Sequence, residues 1–538
     1  MSEYKIDHNM ALTGEPPKSL DTWQKLAVLI GMSGLGILLL ATLNINFPDK
    51  TLWLTISLSA LATGILLFSY REYQGKSKGI KNDGVWFKSI SSRGLWAWLS
   101  GIALTGFYIV LYFFPQYLGL NPDGENTGVI SLFDPLSKVL SGNPASQWFV
   151  YGVLYTIAIL AFGIKFLYKY RHNRYERLRT FSVMFFQTAF AFLIPELMLR
   201  LNNPDLPYYD LKNIWPLNYY NFEQYRVDQF ISAGTIGIAL LIFGVLSILV
   251  ITPILTYKYG KRWYCSWVCG CGGLAETAGD PFRHLSDKSL FAWRVERWVV
   301  HSVLVFVVLM TTAVIYTYLG YDADKYWLNR EFFLISVASG LTILFALIWY
   351  FKKDELEKDA KYGAVTYLAI ILGLIVIHYL SGSNVFLFQA ETLRSTYAFL
   401  IGAIFSGVIG TGFYPIFGNR VWCRFGCPMA AILGIQQRLF SRFRITTNGG
   451  QCISCGNCST YCEMGIDVRA YAQKGQNIIR ASCVGCGICS AVCPRGVLKL
   501  ENGSRDNRIN SDGVLLGNDV DLLDHIRDYD PTRSPRKE

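Results

Sequence analysis

Eight cysteines near the C-terminal end fall into two runs with the same spacing. Cys452, Cys455, Cys458 and Cys462 read C-x2-C-x2-C-x3-C, and Cys483, Cys486, Cys489 and Cys493 repeat the pattern before Pro494. The spacing wraps three thiolates around three corners of an iron–sulfur cubane and sends the fourth to a second cluster. Cys452, Cys455, Cys458 and Cys493 are therefore expected to hold one [4Fe–4S] cluster. Cys483, Cys486, Cys489 and Cys462 are expected to hold the other. Zinc would ask for paired ligands, often with histidine, and no histidine lies near either run. Disulfides are disfavoured in a reducing compartment. One departure stands out: Glu463 occupies the place where the first run should have proline.

The remaining five cysteines lie in two stretches that resemble each other. Tyr259-Gly260-Lys261-Arg262-Trp263-Tyr264-Cys265 leads to Cys269-Gly270, and Phe417-Gly418-Asn419-Arg420-Val421-Trp422-Cys423 leads to Cys427-Pro428. If C-x3-C opens a helix, its two thiols share one face. Two such motifs brought together offer four thiolates, Cys265, Cys269, Cys423 and Cys427, suited to a metal ion or a further iron–sulfur cluster. Arg262 and Arg420 beside them would favour the thiolate form. A redox-active thiol pair without metal and plain packing at helix starts are the alternatives. Cys271 has no counterpart in the second copy and stays outside the ligand set.

The elements that must position these residues are membrane helices. Of the 538 residues only 17% are charged and 15% are aromatic, and mean hydropathy is +0.28. Ten apolar stretches, at about 25–44, 51–70, 95–115, 148–168, 180–200, 229–256, 298–319, 331–351, 363–381 and 396–417, are long enough to span a bilayer. Their connections alternate in charge. Arg71, Lys76, Lys78, Lys81, Lys88 and Arg93 follow the second stretch, and Lys165, Lys169, Arg171, Arg174, Arg177 and Arg179 follow the fourth. Lysines and arginines again follow the sixth and eighth, whereas 116–147 holds only Lys138. This pattern predicts a multi-pass protein of a bacterial cytoplasmic membrane with both termini in the cytoplasm. The net charge of +11 comes from these short clusters, so it does not indicate nucleic-acid binding.

The expected organisation is a cytoplasmic N-terminal segment (1–24), an N-terminal membrane bundle (25–200), a core membrane domain with both C-x3-C motifs (201–440), the two-cluster domain (441–502) and a polar tail (503–538). The fold class is an all-α polytopic bundle of two pseudo-repeated halves, followed by a small α+β domain. Pro204, Pro207, Tyr208, Tyr209, Trp215, Tyr219 and Tyr220, in the outward loop 201–228, read as an interfacial aromatic belt or an outer docking surface. Ser289–Arg297 reads as a segment lying along the cytoplasmic interface. His301 and His378 lie near opposite ends of their helices, too far apart in depth to share a haem. Glu196 is an intramembrane carboxylate, a group that is costly unless it serves a function such as accepting a proton beside a quinone.

Together, the spans, the WCRFGCP motif at 422–428, its counterpart YCSWVCGCG at 264–272 and the two long cysteine runs resemble the membrane polyferredoxin family. That family includes membrane components accompanying nitrate and nitrous-oxide reductases and the oxidase-assembly copper reductase. The resemblance covers about 255–500 and not the first four spans, and Gly270 replaces the motif proline in the first copy. It implies an electron-transfer subunit of an oxidoreductase system, passing electrons between cytoplasmic clusters and a quinone or an outer-face redox protein. A maturation or regulatory protein that senses redox state or reduces copper is the alternative. A transporter driven by electron flow is a third.

Overall fold

The computed structural model describes residues 20–45, 47–74, 93–201, 214–321, 324–356, 358–381, 389–448 and 451–502, with two-residue strands at 515–516 and 520–521. Lys76, Lys78, Lys81, Lys88, Pro204, Pro207, Tyr208, Tyr209 and most of the tail lie outside these residues. Ten described helices are long and apolar enough to cross a membrane: Thr22–Thr42, Lys50–Tyr73, Leu95–Phe113, Gln147–Lys169, Arg174–Leu201, Gly234–Tyr259, Leu290–Tyr321, Arg330–Lys352, Lys358–Ser381 and Ala390–Gly412. Each overlaps one of the ten predicted stretches.

Local chemistry explains several boundaries. Asp21 caps the first span by accepting from the Gln24 amide at 2.7 Å, while Gln24 Oε1 accepts from the Asp21 amide at 3.1 Å. The first two spans pack through small residues: a Cβ on Gly64 would stand 2.7 Å from Gly31 Cα, and Ser57 Oγ donates to Gly34 O at 2.8 Å. The fifth, sixth and tenth spans contain π-helical stretches, Phe186–Leu193, Ser247–Ile251 and Ala398–Gly412. Such widened turns are frequent at functional sites.

Three features were not read from the sequence. Ser289–Arg297 does not turn before the seventh span: Leu290–Tyr321 is one unbroken helix of 32 residues. Its first turns project toward the C-terminal domain. There Glu296 accepts from Arg424 Nε at 2.6 Å, and Trp293 lies between the Arg297 and Arg480 guanidiniums at 4.1 and 4.5 Å. In the described part of 201–228, Trp215 and Tyr219 pack inward. Trp215 Nε1 donates to Thr311 Oγ1 at 3.0 Å and Tyr219 packs on Tyr397 at 5.2 Å, while Ile214 is buried in the same packed core as the cysteines. Several of the cations at and between the span ends are buried and paired. Lys165, Lys169, Arg179 and Arg283 are buried in ion pairs.

The C-terminal domain is closed by an antiparallel pair, Arg444–Thr447 with Leu498–Glu501, which sets Arg444 opposite Glu501 and Thr447 opposite Leu498. Between the strands, short helices Asn457–Thr460 and Ile488–Ala491 occupy equivalent places in the two cysteine runs. Each follows a glycine with positive φ, Gly456 (+81°) and Gly487 (+89°), which turns the chain sharply after the second cysteine.

Candidate functional site

The C-terminal cysteines gather as two interlaced sets. Cys452, Cys455, Cys458 and Cys493 line one small cavity, floored by Ala472, Val497 and Leu498. Cys462 joins the other run: its charge acts on both Cys483 and Cys489. The fourth cysteine of each run accepts a backbone N–H four residues on, Ile466 N to Cys462 Sγ at 3.4 Å and Val497 N to Cys493 Sγ at 3.3 Å. Burial pushes the Cys458 thiol up to about 12 and the Cys483 thiol up to about 11. A bound metal ion reverses that penalty by neutralising the thiolate. Among the described residues no three His, Cys, Asp or Glu side chains converge as a single ion requires. A tetrahedral ion needs its sulfurs about 2.3 Å from one point, whereas a cubane spreads them over its corners. The donor set therefore fits clusters better than single ions.

The two runs face different surroundings. The first loop is open, with Ile453 52% exposed. The second is pressed onto the membrane domain, which takes three consecutive carbonyls. Gln437 Nε2 donates to Cys483 O at 2.8 Å, Ser266 Oγ to Val484 O at 2.8 Å and the Tyr175 hydroxyl to Gly485 O at 2.8 Å. Gln437 also donates to Arg480 O at 2.8 Å, and its Oε1 accepts from the Lys261 amide at 2.8 Å. One side chain thus ties together the second C-x3-C copy, the first copy and the two-cluster domain.

The structure brings the two C-x3-C motifs together. Cys265, Cys269, Cys423 and Cys427 are all buried in one core, where Cys427 feels the charges of the other three. The arrangement differs from two thiols on one helix face. Cys265 ends the turn Arg262–Cys265, and Cys269 is the extended N-cap of Gly270–Thr277. Cys423 lies in the turn Trp422–Gly426, and Cys427 caps Pro428–Phe440, its sulfur accepting from Ala430 N at 3.4 Å. A tight chain reversal inside each motif breaks the helix and still sets the pair together. Burial pushes the Cys265 thiol up to about 12 against the opposing Lys261 charge. Arg262 is not the neighbouring cation that the repeat suggests. Its guanidinium donates to Tyr259 O and Asn502 Oδ1 and stacks on Phe443. Cys271, set aside on sequence grounds, is hydrogen-bonded to Cys269 and is a fifth thiol of the group.

Arg420 does lie at the site. Its Nη1 donates to Cys423 Sγ at 3.5 Å and to Cys265 O at 3.3 Å, and its guanidinium pairs with Glu276. Its Nε stands 3.0 Å from Glu463 Oε1, an ion pair without hydrogen-bond geometry. Glu463 is wholly buried. It accepts from Arg283 Nη1 at 2.5 Å and from Asn419 Nδ2 at 3.1 Å. Arg283 continues to Asp280 at 2.9 Å, which also holds Lys165 at 2.9 Å and Lys169 at 2.7 Å. Arg179 closes the lattice through Glu176 and Glu276. Glu463, at the place of the motif proline, sets a carboxylate between two buried guanidiniums.

The other singled-out residues stand apart. His301 Nδ1 bonds Arg297 O at 2.5 Å within its helix, and His378 is buried with its ring 4.9 Å from Tyr316. Glu196 is partly exposed in the last turns of the fifth span, with no ion pair among the described residues.

Comparison with known proteins agrees with this reading at a coarse level. A family model described as a 4Fe-4S dicluster domain matches residues 444–494. One described as a 4Fe-4S binding domain matches twice, at 241–289 and 397–446, each match enclosing one C-x3-C motif. Among curated proteins the chain is similar to the putative electron transport protein YccM of Escherichia coli K12, 28% identical over 102 residues, which is 19% of this chain and 28% of the relative. It is also similar to the uncharacterized protein MJ0749 of Methanocaldococcus jannaschii, 34% identical over 100 residues, which is 18% of this chain and 35% of the relative. The chain thus covers 28% and 35% of the lengths of these relatives. No solved structure matches. These similarities support an iron–sulfur electron-transfer protein, and the ten long apolar helices associate it with a membrane.

Proposed function

We propose that the chain passes single electrons between the cytoplasm and a quinone or an outer-face redox protein, from a multi-pass position in the bacterial inner membrane with cytoplasmic termini. The observation that carries this reading is the unequal setting of the two long runs: the Cys452 loop is open, and the Cys483 loop is held by Gln437, Ser266 and Tyr175 beside the buried C-x3-C group. Cys452, Cys455, Cys458 and Cys493 would hold one [4Fe–4S] cluster, and Cys483, Cys486, Cys489 and Cys462 the other. Cys265, Cys269, Cys423 and Cys427 would hold a further iron–sulfur cluster. Bound clusters supply one-electron chemistry over a potential range tuned by charge, hydrogen bonds and exposure.

The chain's own residues do the rest. Arg420 places a fixed positive charge against Cys423 and offsets thiolate charge at the buried site. The exposed Ile453 loop offers a soluble partner close approach to the first set. Ile214, which follows the fifth span, packs in the same core as the cysteines. The similar stretches 241–289 and 397–446 support two halves related by a pseudo-two-fold axis, with the C-x3-C group between them. The test is anaerobic turnover of the full chain in lipid. A relay is reduced and reoxidised repeatedly when a donor and quinone are supplied together. A single reduction without turnover would favour the sensing or copper-reducing alternative.

A further inference from the structure

Between the fifth span, the first C-x3-C motif and the two-cluster domain lies a groove of ≈ 730 Å³. That volume falls within the range of small-molecule sites, about 300–1,000 Å³. Two features distinguish it from an ordinary crevice. The first is what it touches. Trp267 stands between Cys265 and Cys269, and Gly487 stands between Cys486 and Cys489, and both line the groove. Anything bound there lies against the buried long run and the C-x3-C group together. The second is its chemistry. Tyr175, Phe186, Trp263 and Trp267 supply aromatic walls, and among the described lining residues Arg262 is the sole cationic side chain.

The walls are preorganised. Tyr175 and Trp267 meet edge to face at 5.7 Å, and Trp267 Nε1 donates to the Tyr175 hydroxyl at 3.2 Å, while that hydroxyl donates to Gly485 O at 2.8 Å. The Arg262 guanidinium is fixed over Tyr175 at 5.6 Å and over Phe443 at 4.5 Å. The fifth span leads into the bilayer from this point, with Phe181 and Phe185 exposed and a π-helical stretch beginning at Phe186.

We propose that this groove binds the ring of a membrane quinone or quinol. A flat aromatic ring suits edge-and-face aromatic walls. Carbonyl or hydroxyl oxygens suit a single guanidinium, and a lipid-soluble tail suits the exposed phenylalanines. A nicotinamide or flavin dinucleotide fits less well, because its diphosphate calls for a glycine-rich helix start or several cations. The inference rests on the reading that the chain exchanges electrons with quinone, and it assigns that exchange to the cytoplasmic side.

The test is photolabelling of the full chain in nanodiscs with a short-chain azido-benzoquinone, followed by peptide mapping. Label should fall on 173–186 and 259–268, and a short-chain ubiquinone should displace it. Trp267→Ala should weaken that competition about tenfold, and the milder Trp267→Phe and Arg262→Lys should weaken it less while keeping the fold. Label on the cavity around Tyr108 and Tyr151, label displaced equally well by phospholipid, or cross-links from the groove to residues 503–538 would each overturn the assignment. The underlying reading fails separately. If quinol still reduces the chain's iron–sulfur signals while label falls elsewhere, the quinone reading stands and this groove is wrong. If quinol neither reduces nor labels the chain, both fall.

Discussion

Replacing Glu463 should loosen the two-cluster domain from the membrane domain without touching a cysteine. Its side chain and those of its partners Arg283 and Arg420 are 0% exposed. The connected lattice holds five cations, Lys165, Lys169, Arg179, Arg283 and Arg420, against four anions, Glu176, Glu276, Asp280 and Glu463. Removing Glu463 leaves five against three. Breaking one partner out of a buried pair costs about 3–5 kcal/mol, because the opposite charge stays buried. Glu463→Gln keeps an acceptor for Asn419 and should sit near the lower figure. Glu463→Pro, which restores the motif residue, should sit near the upper one. At about 1.4 kcal/mol per decade, 3 kcal/mol is roughly a hundredfold in the equilibrium for local opening. The assay is hydrogen exchange of the amides of 463–468 and 483–487 in detergent micelles. Opening raised about a hundredfold, with slow exchange kept in the first span, is the expected result. A change below about fivefold would refute the claim that this carboxylate holds the lattice together.

Three further outcomes follow from the geometry. Gln437→Leu leaves the Lys261 amide and the Cys483 carbonyl without this partner, while Arg480 O keeps the Cys483 amide; at about 1–3 kcal/mol for a buried group so stranded, the 483–487 loop should become protease-sensitive while 452–458 is unchanged. Asp280 works against burial, yet Lys165, Lys169 and Arg283 hold its carboxyl well below the usual carboxylate range. A depressed folded value means stabilisation that is complete above the unfolded value of about 3.9 and lost as pH falls toward the folded one. The Asp280 contribution to stability should therefore be constant from pH 8 to 5 and fall only below about 4, and Asp280→Asn should reduce that acid-side loss, with the share of Glu463, also held low by Arg283 and Arg420 against its burial, remaining. A reporter active only outside the cytoplasm should be active when fused after Gly119 and silent after Arg174 or Asp359; activity after Asn502 would reverse the orientation.

The long cysteine runs and the ten spans were legible because each depends on local information. A fixed thiol spacing and an unbroken apolar stretch carry their meaning without the rest of the chain. The pairing of Cys265 and Cys269 with Cys423 and Cys427 was legible from the repeated aromatic, Gly and Arg pattern around them. What the repeat hid was its asymmetry. Arg262 and Arg420 hold equivalent places in sequence, yet only Arg420 reaches a sulfur, because Phe443, Tyr175 and Asn502 draw Arg262 toward the two-cluster domain. The role of Glu463 was flagged as a missing proline and not as a charge, since its partners Arg283 and Arg420 are 180 and 43 residues away. The partner of Lys165 and Lys169 was hidden in a similar way. A charge count sees topogenic cations, and only tertiary contact shows Asp280 between them. The inward packing of Ile214 and Trp215 had no signal beyond aromatic and proline content.

The account rests most directly on whether the four C-x3-C thiols form one centre beside two intact clusters. Iron content with EPR of the anaerobically purified chain, for the natural protein, Cys265→Ser, Cys423→Ser and the double variant, tests this in one series. The account predicts more than the roughly eight irons of two [4Fe–4S] clusters in the natural protein. It predicts the same loss of the excess in either single variant and no further loss in the double, with the signals of the two C-terminal clusters unchanged. Such non-additivity marks residues acting as a unit. No more than about eight irons throughout, or independent losses that add in the double variant, would contradict it.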